Sequence, residues 1–218
     1  MAQRLQSTHS PDYSVKAGKR HQRLSFQVKG AEFLAEAIKG PITLVEEKIK
    51  AKEDADDKSD QLFDLINLYD SEQDNKIRTV ASRCKEYDRD NPGARTYETI
   101  FPNNTGAIID ANVFDEPEEV KKVAARIQSL GPDHILSSLG ATLTEAADRV
   151  KQAINQHLES ITEVGKADAE LQIAKSVLVK QYLSNMFEAE KMFGRKGADR
   201  LFPKLSGGSS SQPSSPAN

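Results

Sequence analysis

Apolar residues recur at alternating spacings of three and four along two long stretches of this chain, as in helices that bury one stripe. The longer pattern, from Leu143 to Tyr182, predicts a helix over about 142–193. The other pattern, from Leu62 to Tyr87, lies in a helix predicted over about 41–90. We assign to the seam between them Leu62, Ile66, Ile77, Leu143, Val150, Ile154, Ile161, Leu171 and Leu178.

A shorter helix is predicted before these two, over about 25–39, and Gly40 with Pro41 is expected to end it. Residues 50–60, KAKEDADDKSD, contain no large apolar side chain, although the helical pattern resumes after them. His157 interrupts the seam of the longer helix. It is interpreted either as a pH-sensitive or metal-binding core residue, or as a polar residue that fixes the helix register.

Residues 91–141 form an insert between the two long helices. Their turn-forming PNNTG is flanked by the β-prone runs TYETIF and AIIDANVF, which predicts a small β-hairpin or an irregular segment. The insert is expected either to present a recognition tip or to cover the apolar end of the helices. The C-terminal segment EKMFGRKGADRLFPKL is expected either to dock on a partner or to fold back on the helices. The interaction residues predicted from both regions are Tyr97, Ile100, Phe101, Ile108, Val113, Phe114, Phe193, Leu201 and Phe202.

These patterns together predict an all-α fold: an elongated antiparallel helical hairpin or coiled coil, with a short additional helix and a small β-hairpin-like or irregular insert. Residues 1–24 are expected to be a flexible basic arm, because they are polar and lack apolar periodicity. Residues 25–205 are the predicted helical domain. Residues 206–218, rich in Ser, Pro and Gly, are expected to be a disordered tail.

Candidate chemistry adds little to this picture. The acidic run at residues 53–60 departs from a calcium-binding loop, with Ser59 where that loop requires glycine. Cys84, the single cysteine, has no His beside it in the sequence. Phosphate-binding loops, hydrolase motifs and runs of 18 apolar residues are also missing. We therefore assign no catalytic, cofactor-binding or metal-binding residue, and expect a cytoplasmic protein that is not an enzyme.

The predicted function follows from the helices. We expect a structural, scaffolding or adaptor protein that associates with a protein partner or with a second copy of itself. The alternative is a nucleic-acid-associated protein, because the N-terminal segment is basic and could contact phosphates. The residues assigned to that role are Lys16, Lys19, Arg20 and Arg23.

Overall fold

The computed structural model describes residues 4–202. This part of the chain is predominantly helical and contains no strand, which confirms the all-α prediction. The predicted tail at 206–218 lies outside the described residues. The helices are α1 Pro11–Phe26, α2 Glu32–Asp90, α3 Thr96–Ile100, α4 Gly106–Ile109, α5 Glu116–Gln128 and α6 Ser137–Leu201.

The chain divides into two compact units. Unit 1 consists of residues 1–54 and 165–218, and unit 2 of residues 55–164, so that both α2 and α6 contribute to each unit. In unit 1, the N-terminal part of α2 and the C-terminal part of α6 pack with α1 around one apolar core. The side chains at its centre are Leu34, Ile38, Val45, Leu178, Leu201 and Phe202.

Helix α1 replaces the predicted flexible arm. Ser10 caps it, since its hydroxyl oxygen accepts a hydrogen bond from the Tyr13 amide at 3.2 Å, and Pro11 occupies the first turn. The buried face of α1 consists mainly of small residues, which periodicity in large apolar residues does not reveal. A Cβ atom added to Gly18 would lie 3.0 Å from the Ile42 side chain, so glycine allows the close approach of α1 to α2.

The predicted boundary at Gly40 and Pro41 is also wrong, because α2 begins at Glu32 and continues through Pro41. Proline removes one backbone hydrogen bond inside a helix and leaves the carbonyl group four residues earlier without a donor. That carbonyl belongs to Ala37, which is exposed, so water can satisfy it. Packing of the adjacent Ile38 and Ile42 in the core then keeps the helix continuous.

Short helices stand where a β-hairpin was predicted. The Asp88 carboxylate accepts hydrogen bonds from the amides of Thr96 and Tyr97, at 2.7 and 2.8 Å, and thereby starts α3. Asn104 accepts one from the Ala107 amide at 3.1 Å, at the start of α4. The turn-forming residues therefore act as helix caps rather than as a hairpin turn.

Unit 2 contains the core of the insert. α5 packs with the C-terminal part of α2 and the N-terminal part of α6, and α3 and α4 lie against it. Helix α6 begins at Ser137, five residues before the predicted start. At its other end Gly194 has a φ of 65°, which breaks the regular helix one residue after the predicted end. The large side chains that are almost completely buried in unit 2 include Ile66, Ile77, Ile100, Ile127 and Leu143.

Candidate interaction site

Most of the insert residues predicted to contact a partner lie inside unit 2. Ile100, Phe101 and Ile108 are buried in its core. Tyr97 and Val113 are half-buried and pack against neighbouring clusters, and Phe114 alone of this set is exposed. Most of these residues are therefore part of the core of unit 2.

The predicted C-terminal anchors fold back on unit 1. Leu201 and Phe202 are buried, and Phe193 is half-buried against the same core. The Phe202 ring stacks on His21 of α1, with ring centroids 4.1 Å apart. His21 also binds the Leu201 carbonyl oxygen through Nδ1 at 3.2 Å, so its imidazole holds the end of α6 in place. Burial lowers the pKa of His21 to about 4.

Seven of the nine predicted seam residues are buried. The two exceptions are Leu62, which is half-buried, and Ile161, which is 50% exposed. Both lie in one stretch of the α2 and α6 pair, so the seam is interrupted at a single place. The buried members are Ile66, Ile77, Leu143, Val150, Ile154, Leu171 and Leu178.

We call this stretch the open segment and define it as residues 55–64 of α2 and residues 155–164 of α6, all in unit 2. Of these twenty residues only Ser160 is buried. Three large apolar side chains are instead roughly half exposed: Phe63 at 46%, and Leu158 and Ile161 at 50% each. The cause lies in the α2 sequence, which supplies no large apolar residue between positions 50 and 60.

His157 connects the two helices within the open segment. Its Nδ1 lies 3.2 Å from the carbonyl oxygen of Ser59, and because a carbonyl oxygen only accepts, the imidazole donates. The same ring lies over Phe63, with centroids 5.5 Å apart. Ser160 donates its hydroxyl to the His157 carbonyl oxygen at 2.7 Å. These contacts favour the interpretation of His157 as a residue that sets helix register.

Two grooves run along the open segment. The larger has a volume of about 670 Å³ and lies between Leu62 and Lys58 on α2 and Gln156 and Ser160 on α6. The smaller, of about 360 Å³, includes Ile161. The larger groove is lined mainly by polar side chains, and of the three exposed apolar residues only Ile161 lines a groove. Exposed apolar side chains with polar neighbours are a common form of protein-binding site.

The electrostatic surroundings of the open segment are acidic. Its twenty residues include six Asp or Glu side chains and one Lys, a net charge of −5. Unit 2 as a whole has 21 acidic and 12 basic residues, whereas unit 1 has 12 and 18, giving −9 and +6. The small net charge of the whole chain thus conceals two units of opposite sign.

A second polar cluster lies elsewhere in unit 2, between α2 and α5. Glu116 is 1% exposed and accepts a hydrogen bond from the Gln73 amide at 3.0 Å. Burial and the neighbouring Asp70 raise the pKa of Glu116 to about 8. Asp74 lies close to the same carboxyl group and pairs with Arg78 at 3.2 Å. Glu116 is therefore protonated at neutral pH.

Metal ligands and reactive thiols are the remaining candidate chemistry in residues 4–202. Within that range no three His, Cys, Asp or Glu side chains are arranged to hold a metal ion. Burial raises the pKa of the Cys84 thiol to about 11, which keeps it protonated and unreactive near neutral pH. None of the helices described between residues 4 and 202 has an apolar stretch of the length that a bilayer crossing requires.

The basic residues predicted to contact phosphates lie on α1. Lys16, Lys19 and Arg23 are exposed and spaced three and four residues apart, so they share one helix face. Lys19 forms an ion pair with Glu46 of α2. Arg20 is half-buried, so three of the four basic residues predicted to contact phosphates lie on a common exposed surface.

Comparison with other proteins identifies no relative: no family model, curated protein or solved structure matches this chain. The site must therefore be interpreted from its own residues. Sequence reasoning missed the open segment, but the signal was available. Helix α6 keeps apolar residues at positions 158 and 161, whereas α2 lacks large apolar residues over the three turns from 50 to 60, and this pairing predicts an uncovered apolar surface.

Proposed function

We propose that this chain is a non-enzymatic structural, scaffolding or adaptor protein, built as an antiparallel helical hairpin that associates with a protein partner through the open segment. The observation that carries the proposal is the half-exposure of Phe63, Leu158 and Ile161 along one stretch. Single exposed apolar residues are ordinary on protein surfaces. Three of them within one short stretch of two neighbouring helices are typical of an interaction site.

The proposal explains why the apolar pattern of α6 continues through the open segment. Leu158 and Ile161 are three residues apart and fall on neighbouring positions of one helix face. Burying the exposed half of each side chain against a partner would stabilise a complex by about 1 kcal/mol per residue. Because intramolecular packing does not use this surface, a partner can cover it without unfolding the chain.

The test compares two double variants of the full chain. Leu158→Ser with Ile161→Ser removes the apolar surface, and Thr142→Ser with Gln152→Ser changes exposed polar positions of the same helix outside the open segment. Neither variant changes the net charge. Self-association is measured by sedimentation velocity, and partner association by affinity capture from the native host. We expect the apolar variant alone to lose association; equal association by all three proteins would refute the proposal.

Nucleic-acid association is the second candidate, favoured by the exposed basic face of Lys16, Lys19 and Arg23 and by the charge of +6 in unit 1. Phosphate contacts of this kind make affinity depend steeply on salt. We expect any binding of single- or double-stranded DNA or RNA to weaken in Lys16→Ala with Arg23→Ala. Absence of binding by the wild-type chain at low salt would exclude this candidate.

A further inference from the structure

We infer that the open segment binds a basic amphipathic helix of a partner protein. This inference rests on the proposed function, because it names the occupant of the same surface. It combines the groove with two further properties, the length of the uncovered stretch and the sign of its charge. The length of the stretch favours a helix, and the negative charge disfavours a nucleic acid, an anionic bilayer or a second copy of this chain.

The shape of the site suits a helix. The open segment comprises ten residues of each of two neighbouring helices, a length of about 15 Å at about 1.5 Å per residue. A partner helix of about three turns would match that length. Its apolar residues at positions i, i+3, i+4 and i+7 would meet the half-exposed side chains of Leu158, Ile161 and Phe63, of which Ile161 also lines the smaller groove.

The charge of the site selects a basic partner. Asp57, Asp60 and Asp64 are exposed along α2 at helical spacing, and Glu159 is exposed on α6. Lys58 is the only basic residue among the twenty of the open segment. Lys or Arg side chains that flank the apolar anchors of a partner helix would complement this surface and accelerate association.

The same charge disfavours the other occupants. A nucleic acid or an anionic bilayer would be repelled by the net charge of −5. Two copies of this chain that met through the same surface would bring two such charges together, which is unfavourable. A basic helix is therefore the occupant that both the apolar and the charged residues favour.

The test uses three labelled synthetic peptides of about 14 residues, titrated with the full chain and followed by fluorescence anisotropy. The first carries Leu at i, i+3, i+4 and i+7 with Lys on its flanks. The second has the same composition in scrambled order, and the third has Glu in place of Lys. We expect the first to bind at least tenfold more tightly than either of the others, because only it matches both the stripe and the charge.

Two sets of variants locate that binding. Leu158→Ser with Ile161→Ser should weaken it about tenfold, whereas Thr142→Ser with Gln152→Ser, at exposed positions of α6 outside the open segment, should not change it. Asp57→Asn, Asp60→Asn and Asp64→Asn together should weaken it about tenfold at low salt. The matched control removes three exposed acidic residues elsewhere in unit 2, by the substitutions Glu98→Gln, Asp110→Asn and Asp133→Asn.

Several outcomes would overturn the inference. Equal binding of the ordered and scrambled Lys peptides would show charge attraction without a groove. Equal weakening by the two triple variants would place the charge effect outside the open segment. If Leu158→Ser with Ile161→Ser abolishes self-association or partner capture but the Lys peptide does not bind, the proposed function stands and the basic occupant is wrong. If neither assay detects association, both fail.

Discussion

The buried carboxyl group of Glu116 should make the stability of this protein fall as pH rises through neutrality. Its folded-state pKa of about 8 lies above the ordinary value of 4.5, because burial and the adjacent Asp70 disfavour its ionised form. The unfolded chain is already ionised at this position above pH 6. The folded state therefore binds more protons, and the stabilisation present at low pH is lost through pH 8.

The size of this effect can be worked out for a chosen window. Between pH 6.5 and 8.5 the unfolded-state glutamate stays ionised, whereas the folded-state carboxyl group with a pKa of about 8 loses most of its proton. Proton linkage over that interval gives a loss of about 2 kcal/mol in the free energy of unfolding. Unfolded-state His21 is still half protonated at pH 6.5 and unfolded-state Cys84 begins to ionise near pH 8.5, and their opposing contributions change this loss by less than about 0.5 kcal/mol.

Urea denaturation followed by circular dichroism at 222 nm measures this loss. Glu116→Gln keeps the shape of the protonated side chain and can still accept a hydrogen bond from Gln73. We expect its free energy of unfolding to be nearly constant over the window. Glu118→Gln is the matched control, since Glu118 is exposed on the same helix and its ion pair with Lys151 lowers its pKa.

A wild-type protein whose free energy of unfolding changes by less than about 0.5 kcal/mol between pH 6.5 and 8.5 would contradict this reasoning. A Glu116→Gln variant whose free energy of unfolding falls with pH as steeply as that of the wild type would also contradict it, because another group would then cause the pH dependence. The Glu118→Gln control should reproduce the wild-type slope, since its carboxyl group is ionised throughout the window.

Two further substitutions test the packing of unit 1. Leu171→Asp places a charge at a position that is 4% exposed, and should lower the free energy of unfolding in urea titrations by about 3 kcal/mol or more. Ile173→Asp, at 66% exposure on the same helix, should change it by less than about 0.5 kcal/mol. Asn185→Ala removes the hydrogen bond donated to the Leu34 carbonyl at 2.7 Å and the contact with His21 at 2.9 Å, and should cost about 1–3 kcal/mol in the same assay. Equal free energies of unfolding for the two Asp variants would refute the assigned burial of Leu171. An Asn185→Ala protein as stable as the wild type would show that the hydrogen bonds of Asn185 contribute little to stability.

Large apolar residues allowed most of the helical structure to be predicted. The pattern from Leu143 to Tyr182 identifies α6, because the same residues that repeat along the sequence also fill the cores. Helix α1 was not predicted because it packs through small residues such as Gly18 and Ala17. These residues contribute by allowing α1 to approach α2 closely. That approach becomes visible only when Ile42 of α2 is placed opposite.

The insert shows a different limit of sequence reasoning. Asn104 and Asp88 belong to residue types that start both turns and helices, and the choice depends on which amide groups they reach. Asp88 lies at the end of α2, eight residues before the Thr96 amide that it caps. The local sequence of the insert therefore favours a hairpin, and only the folded chain brings the Asp88 carboxylate to the start of α3.

In the open segment, the sequence pattern and the observed exposure of the side chains disagree, and this disagreement supports the proposed function. Leu158 and Ile161 continue the apolar periodicity of α6, so on local evidence alone they belong to the core. They remain exposed because α2 supplies no large apolar residue between positions 50 and 60, and the groove beside Ile161 is lined from α2 by Asp56, Ser59 and Asp60. A helix that needed only its own chain would gain nothing from apolar residues there. Their presence beside an acidic groove is explained if a basic helix from elsewhere supplies the missing side of the seam.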